Sequence, residues 1–150
     1  MKVLLLSGDN WHSSSITIKG LTSLKIANIR IDSQSSIELI SADTLQSYSL
    51  IILAKANHRS EADESPWLTE QLANLFSDYV QNGGSLLVLH SGLVGYQKSP
   101  TMNNLIGGSF LEHPEICSVT IEPLGECEIT TKIENFTIID EHYFITVDPN

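Results

Sequence analysis

The stretch GGSLLVLHSGLVGY, residues 83–96, decides how the chain is read. Two glycines lead into four apolar residues, Leu86 to Leu89, and the run stops on His90, Ser91 and Gly92. A short, wholly apolar run closed by turn residues is the pattern of a parallel strand buried on both faces. The segment before it, ESPWLTEQLANLFSDYVQNGG, predicts a helix with Ser65 as N-cap and Pro66 at the first helical position. Its apolar stripe is Leu68, Leu72, Leu75, Phe76, Tyr79 and Val80, and Gly83 ends it. Helix, tight turn and buried strand make half of a βαβ unit.

Working outward, Val3 to Leu6 is a second such run, ended by Ser7-Gly8-Asp9-Asn10, and Ile37 to Ile40 and Leu50 to Leu53 read the same way. Ile18, Leu21 and Leu24 or Lys25 give residues 16–29 a helical spacing, weakened by Gly20. Strand, helix, strand, strand, helix, strand is the rhythm of a doubly wound α/β sheet, whose ligands sit outside the carboxyl ends of the strands. That rule singles out Asp9 to His12, then Asn57 and His58, then His90 and Ser91. Past Gly95 the alternation fails. MNNLIGGSF reads as a short helix with a glycine stop, Ile116 to Ile121 as a strand, and FTIIDEHYFITVDPN as two strand-like runs split by Asp140-Glu141-His142.

At 150 residues the chain is read as one domain, 1–150, with a core of its own. An apolar fraction of 41% is that of an ordinary globular protein. Eighteen acidic residues against eight basic ones leave a net charge of −10, a field that repels nucleic acid and anionic membrane surfaces. The opening MKVLLLSGDN is too short an apolar run for a signal segment or a membrane span, so the expected compartment is the cytoplasm. Cys117 and Cys127 lack CxxC spacing and are expected to stay reduced.

The residues flanking Ser91 are not those of a G-x-S-x-G elbow, and the chain has no GxGxxG, Walker loop or HExxH. The histidines, His12, His58, His90, His113 and His142, all fall at strand ends or in loops. For His90 a hydrogen-bonded structural imidazole competes with a functional one. Dispersed spacing assigns no metal ligand, but convergence of two or three histidines, with a carboxylate such as Glu141, would suit a divalent metal of the zinc type. Asp140-Glu141-His142-Tyr143 offers general acid/base groups or, on the plainer reading, a polar turn between strands.

Taken together, LLVLHSG, LIGGSFLEHPE, FTIIDEHYF and the opening MKVLLLSGDNWH resemble the trehalose-utilisation (ThuA-like) family over essentially the whole chain. The resemblance implies a flavodoxin-like α/β fold related to class I glutamine amidotransferases, a doubly wound and mostly parallel sheet with helices on both faces. Residues around His90 then stand where those enzymes carry a cysteine nucleophile, and neither Cys117 nor Cys127 lies there, which disfavours thiolate chemistry. The family is associated with the metabolism of sugars, often keto-sugars or disaccharides. The matching positions are His12, His90, His113 with Pro114, Asp140, Glu141 and Tyr143. Two departures stand out: Glu126-Cys127-Glu128-Ile129-Thr130 replaces a second His-Pro, and the usual C-terminal closing segment is not among these residues.

The expectation is therefore a sugar or keto-sugar bound at the strand ends, with His90 and Glu141 as the catalytic pair. Asp9, His12, Ser91, His113 and Tyr143 would contact the substrate. Enzyme chemistry, if present, is acid/base or metal-assisted. The alternative is a non-catalytic amidotransferase-like module for binding or oligomerisation. Expected partners are a small-molecule sugar and further copies of the chain in a homo-oligomer, with no nucleic acid and no membrane.

Overall fold

The computed structural model describes residues 1–24, 26–34, 40–59, 63–124 and 128–148. It divides into two compact units, Met1–Ser109 with Val147–Asn150, and Phe110–Thr146.

In the first unit β1 (Lys2–Ser7), β2 (Arg30–Gln34), β3 (Leu50–Ala54) and β4 (Ser85–Val88) form one parallel sheet in the order β2-β1-β3-β4. That order, with its reversal between β1 and β3, is that of a flavodoxin-like doubly wound fold. Side-chain alternation gives the sheet two apolar faces. Leu4, Leu6, Ile51 and Leu53 pack with Leu45 of α2 (Ala42–Gln46), Ala73, Phe76 and Tyr79 of α3 (Glu70–Gln81) and Met102 of α4 (Pro100–Ile106). Val3, Leu5, Ile52 and Ala54 point the other way, against Ile18 and Leu21 of α1 (Ser14–Ser23). Each fully buried Leu, Ile or Phe contributes roughly 1.5–3 kcal/mol, so these two layers hold the strand ends in place. The α1 face is the thinner cover: α1 has no buried residue, and an apolar cavity of about 420 Å³ lies among Val3, Leu21, Leu24, Leu50, Ile52 and Leu87.

Several sequence expectations change. The strand before His90 is not buried on both faces: among the described residues β4 is an edge strand whose residues alternate between exposed and half-buried, and Leu87 is 42% exposed. The helix expected from Ser65 begins four residues later, with Thr69 as N-cap accepting the Leu72 N–H. Tertiary bonds override the Ser-Pro signal, because Trp67 Nε1 donates to the Ala56 carbonyl and Leu68 N–H to Asn57 Oδ1. The helix expected over 16–29 is shorter, with Ser13 as its N-cap, and ends at Ser23. The second strand is β2, while Ile37 to Leu39 of the expected strand, like Lys25, Glu126 and Cys127, lie outside the described residues. The short α2, capped by Ser41, was not anticipated. The glycine stop is as expected: Gly107, at φ +75°, ends α4.

The second unit contains β6 (Cys117–Ile121) paired antiparallel with β7 (Phe136–Asp140), and most of β5 (Gly108–Glu112) and β8 (Phe144–Val147), which pair with each other. Cys117 is a free, half-buried thiol. No helix among the described residues is long and apolar enough to cross a membrane.

Candidate functional site

The carboxyl ends of β1, β3 and β4 bring three turns of the first unit together. After β1, Asp9 turns its carboxylate inward, with its side chain only 1% exposed. Oδ1 accepts the Trp11 N–H at 3.0 Å, the His12 N–H at 2.9 Å and the His12 ring Nδ1 at 3.0 Å, while Oδ2 accepts the Ala56 N–H at 3.0 Å. Burial alone would raise this carboxyl, but the Ala56 N–H, the Ser91 hydroxyl and the Trp11 and His12 N–H groups outweigh it and hold it below its ordinary range. Asp9 is thus an ionised acceptor whose oxygens are taken up by protein donors.

After β3 comes Lys55, 8% exposed, whose ammonium donates to the Gly8 carbonyl. Burial pushes it down and the charge of Asp9 pulls it back up, with a net lowering. Asn57 ties three turns: its N–H reaches the Val94 carbonyl, its amide the Gly95 carbonyl, and its Oδ1 the Leu68 N–H. After β4, the Leu89 N–H bonds the Leu53 carbonyl, and the chain turns at His90 with φ +48°, the left-handed region that side-chain-bearing residues rarely enter. The 3₁₀ turn His90–Leu93 follows. It fits only because Gly92 has no side chain, since a Cβ there would lie 2.2 Å from the Leu53 carbonyl oxygen. A strained residue held by its surroundings at a strand end is a common mark of function.

The result is a chain of three groups. His12 Nδ1 faces Asp9 Oδ1, and His12 Nε2 stands 3.0 Å from His90 Nε2, the rings nearly perpendicular at 87°. Ionised Asp9 requires the proton of His12 on Nδ1, which leaves the lone pair on Nε2. With His12 accepting, neutral His90 donates from Nε2 and carries its own lone pair on Nδ1. Ser91 is buried beside Asp9, and Trp11, 61% exposed, meets the His58 ring edge-on at 5.4 Å. Among the described residues, Ser7 Oγ and His58 Nδ1 are buried polar atoms with no hydrogen-bond partner.

The remaining sequence candidates fall in the second unit. His113 Nε2 lies 3.9 Å from Glu141 Oε1, and the His113 ring stacks on Tyr143 at 5.7 Å, with Phe110 against both. The first unit therefore unites Asp9, His12, His90 and Ser91, and the second unites His113, Glu141 and Tyr143. Sequence reasoning passed over Lys55, and within the turn Asp9 to His12 it gave Trp11 no role. The only signal for Lys55 was its place directly after the apolar run Leu50 to Ala54, and nothing in the sequence marked Trp11 as exposed.

A flavodoxin-like parallel sheet that presents an Asp–His–His chain from its strand ends defines the class. A family model described as trehalose utilisation (ThuA) matches residues 2–150. The chain belongs to the trehalose-utilisation (ThuA) family. Its fold is similar to a crystal structure from Bacteroides uniformis described as ThuA-like, with a TM-score of 0.71 at 17% identity. The match covers 95% of this chain and 60% of that one, so this chain spans less than two thirds of its neighbour's length. Among curated proteins, none matches.

Proposed function

We propose that the chain serves carbohydrate metabolism by binding a sugar or keto-sugar at the carboxyl ends of β1, β3 and β4, with His90 as the group that exchanges a proton with it. The observation that carries this reading is the Asp9–His12–His90 chain, with 3.0 Å at each side-chain step. Nδ1 of His90 is the basic nitrogen of such a chain. When it takes a proton from carbon next to a keto-sugar carbonyl, the positive charge spreads to His12 and is met by Asp9. Trp11 offers an exposed aromatic face for the C–H side of a pyranose, and membership of a trehalose-utilisation family supports a sugar as the substrate. Within the second unit, Glu141 is a separate acid/base candidate, beside His113 and with Tyr143 stacked on that ring.

The test is calorimetric titration with a panel of disaccharides and keto-sugars, trehalose first. Saturable binding by the native chain is expected, with His90→Ala weakening it or any turnover at least tenfold while the circular dichroism stays native. Glu141→Gln is measured in the same way. If no sugar binds, the second reading, a non-catalytic binding or oligomerisation module, takes over. That reading draws on the exposed apolar residues of the second unit, among them Leu124 at 81% and Ile139 at 73%.

A further inference from the structure

The facing nitrogens of His12 and His90 invite a question that proton chemistry does not exhaust. A straight N–H···N bond of this length would hold the two ring centroids about 5.3 Å apart, since each centroid lies roughly 1.15 Å behind its nitrogen. They stand 4.6 Å apart with the nitrogens at 3.0 Å. At least one ring axis is therefore turned off the line between the nitrogens, as two ligands of a single ion are. Two imidazole nitrogens on a tetrahedral zinc-type ion, each about 2.05 Å from it, stand about 3.3 Å apart. The pair needs to open by only a few tenths of an ångström.

The surroundings fit as well. A ligating histidine is ordinarily held by a carboxylate or carbonyl on its other nitrogen, which fixes tautomer and ring orientation. Buried Asp9 does this for His12 and is itself pinned by three backbone N–H groups. The strained turn at His90 aims the second ring at the first from the neighbouring loop. We infer that His12 Nε2 and His90 Nε2 form a site for a divalent transition-metal ion of the zinc class.

Binding changes what His90 does. A neutral imidazole that ligates through Nε2 keeps its proton on Nδ1, so the proton of His90 moves from Nε2 to Nδ1 and the basic lone pair becomes the metal ligand. The ion thereby replaces proton exchange at His90 with Lewis acidity at the same point. This rests on the sugar reading only for its consequence, since the ion site stands on geometry alone.

Zn²⁺, and Co²⁺ as a visible-absorption probe, titrated into the full chain stripped with chelator and without sugar, tests the site. One ion per chain is expected, with Co²⁺ bands typical of nitrogen ligation. His12→Gln and His90→Gln should each abolish that binding, and Asp9→Asn should weaken it 10–100-fold. Should a glutamine variant lose its native melting transition, Co²⁺-induced broadening of the His12 and His90 ring signals in the native chain gives the same answer. Binding that survives His12→Gln or His90→Gln unchanged, or no stoichiometric binding to the native chain, overturns the inference and leaves the sugar reading standing. Absence of sugar binding in the separate titration removes the sugar reading and leaves the ion site standing.

Discussion

Asp9 shows how much one buried carboxylate can organise. Five donors converge on two oxygens, so replacing them leaves unpaired N–H groups at the base of the site. Asp9→Asn is expected to cost on the order of 2–4 kcal/mol at neutral pH. The sign of the pH dependence follows from the depressed acidity. A carboxyl that is more acidic folded than unfolded stabilises the fold above its unfolded value of about 3.9. That contribution is lost as pH falls from there through the folded value. Urea unfolding of native and Asp9→Asn chains should therefore differ by a constant amount above about pH 5 and converge below about pH 3.9; a gap that persists under strong acid would sink this account. Asp9 was legible in the sequence as a residue after the first strand, but its inward orientation was not, because it depends on Ala56 and Ser91 from two other turns. The meeting of His12 with His90 across 78 positions was likewise beyond any local pattern.

At the level of elements, the buried strands β1 and β3 were plain from their uninterrupted apolar runs, and the sheet type followed from them. The errors came where a neighbour decides the outcome. Leu86 to Leu89 looked doubly buried because an apolar run does not say whether a further strand pairs alongside, and among the described residues β4 has a partner on one side only. The start of α3 moved because Ala56 and Asn57 hold Trp67 and Leu68 in a non-helical loop, so the better local cap lost to tertiary hydrogen bonds. The turn after β4 carries its own prediction. A methyl at position 92 would meet the Leu53 carbonyl oxygen at 2.2 Å and Val88 Cγ1 at 2.9 Å, so backbone must move. Gly92→Ala should destabilise the fold by about 1–3 kcal/mol, lowering the melting temperature by several degrees. It should also displace His90 and weaken sugar binding, and an unaltered melt with unaltered binding would contradict the packing described for this turn.

Over the whole molecule, the first unit has an apolar core on each of two sheet faces, whereas the second leaves Leu111, Ile116, Phe136, Ile139, Phe144 and Ile145 substantially exposed. Exposed apolar residues in such number ordinarily mark an interaction surface. Light scattering should show a mass that rises with concentration, and Ile139→Lys should shift it toward the monomer. A concentration-independent monomer mass would leave that surface without a partner of its own kind. The two units also differ in how the chain enters and leaves them. The Asp148 N–H bonds the Gly107 carbonyl at 2.8 Å, so the segment from Phe110 to Thr146 departs from the first unit and returns to it at one spot. A segment whose ends are already joined is a cassette: lineages can lengthen, shorten or exchange it without threading new chain through the parallel sheet. Each doubling of its length costs only about 0.6 kcal/mol in closure entropy. The part of the chain freest to diversify is thus the part that carries Glu141, while the Asp9–His12–His90 chain stays with the sheet.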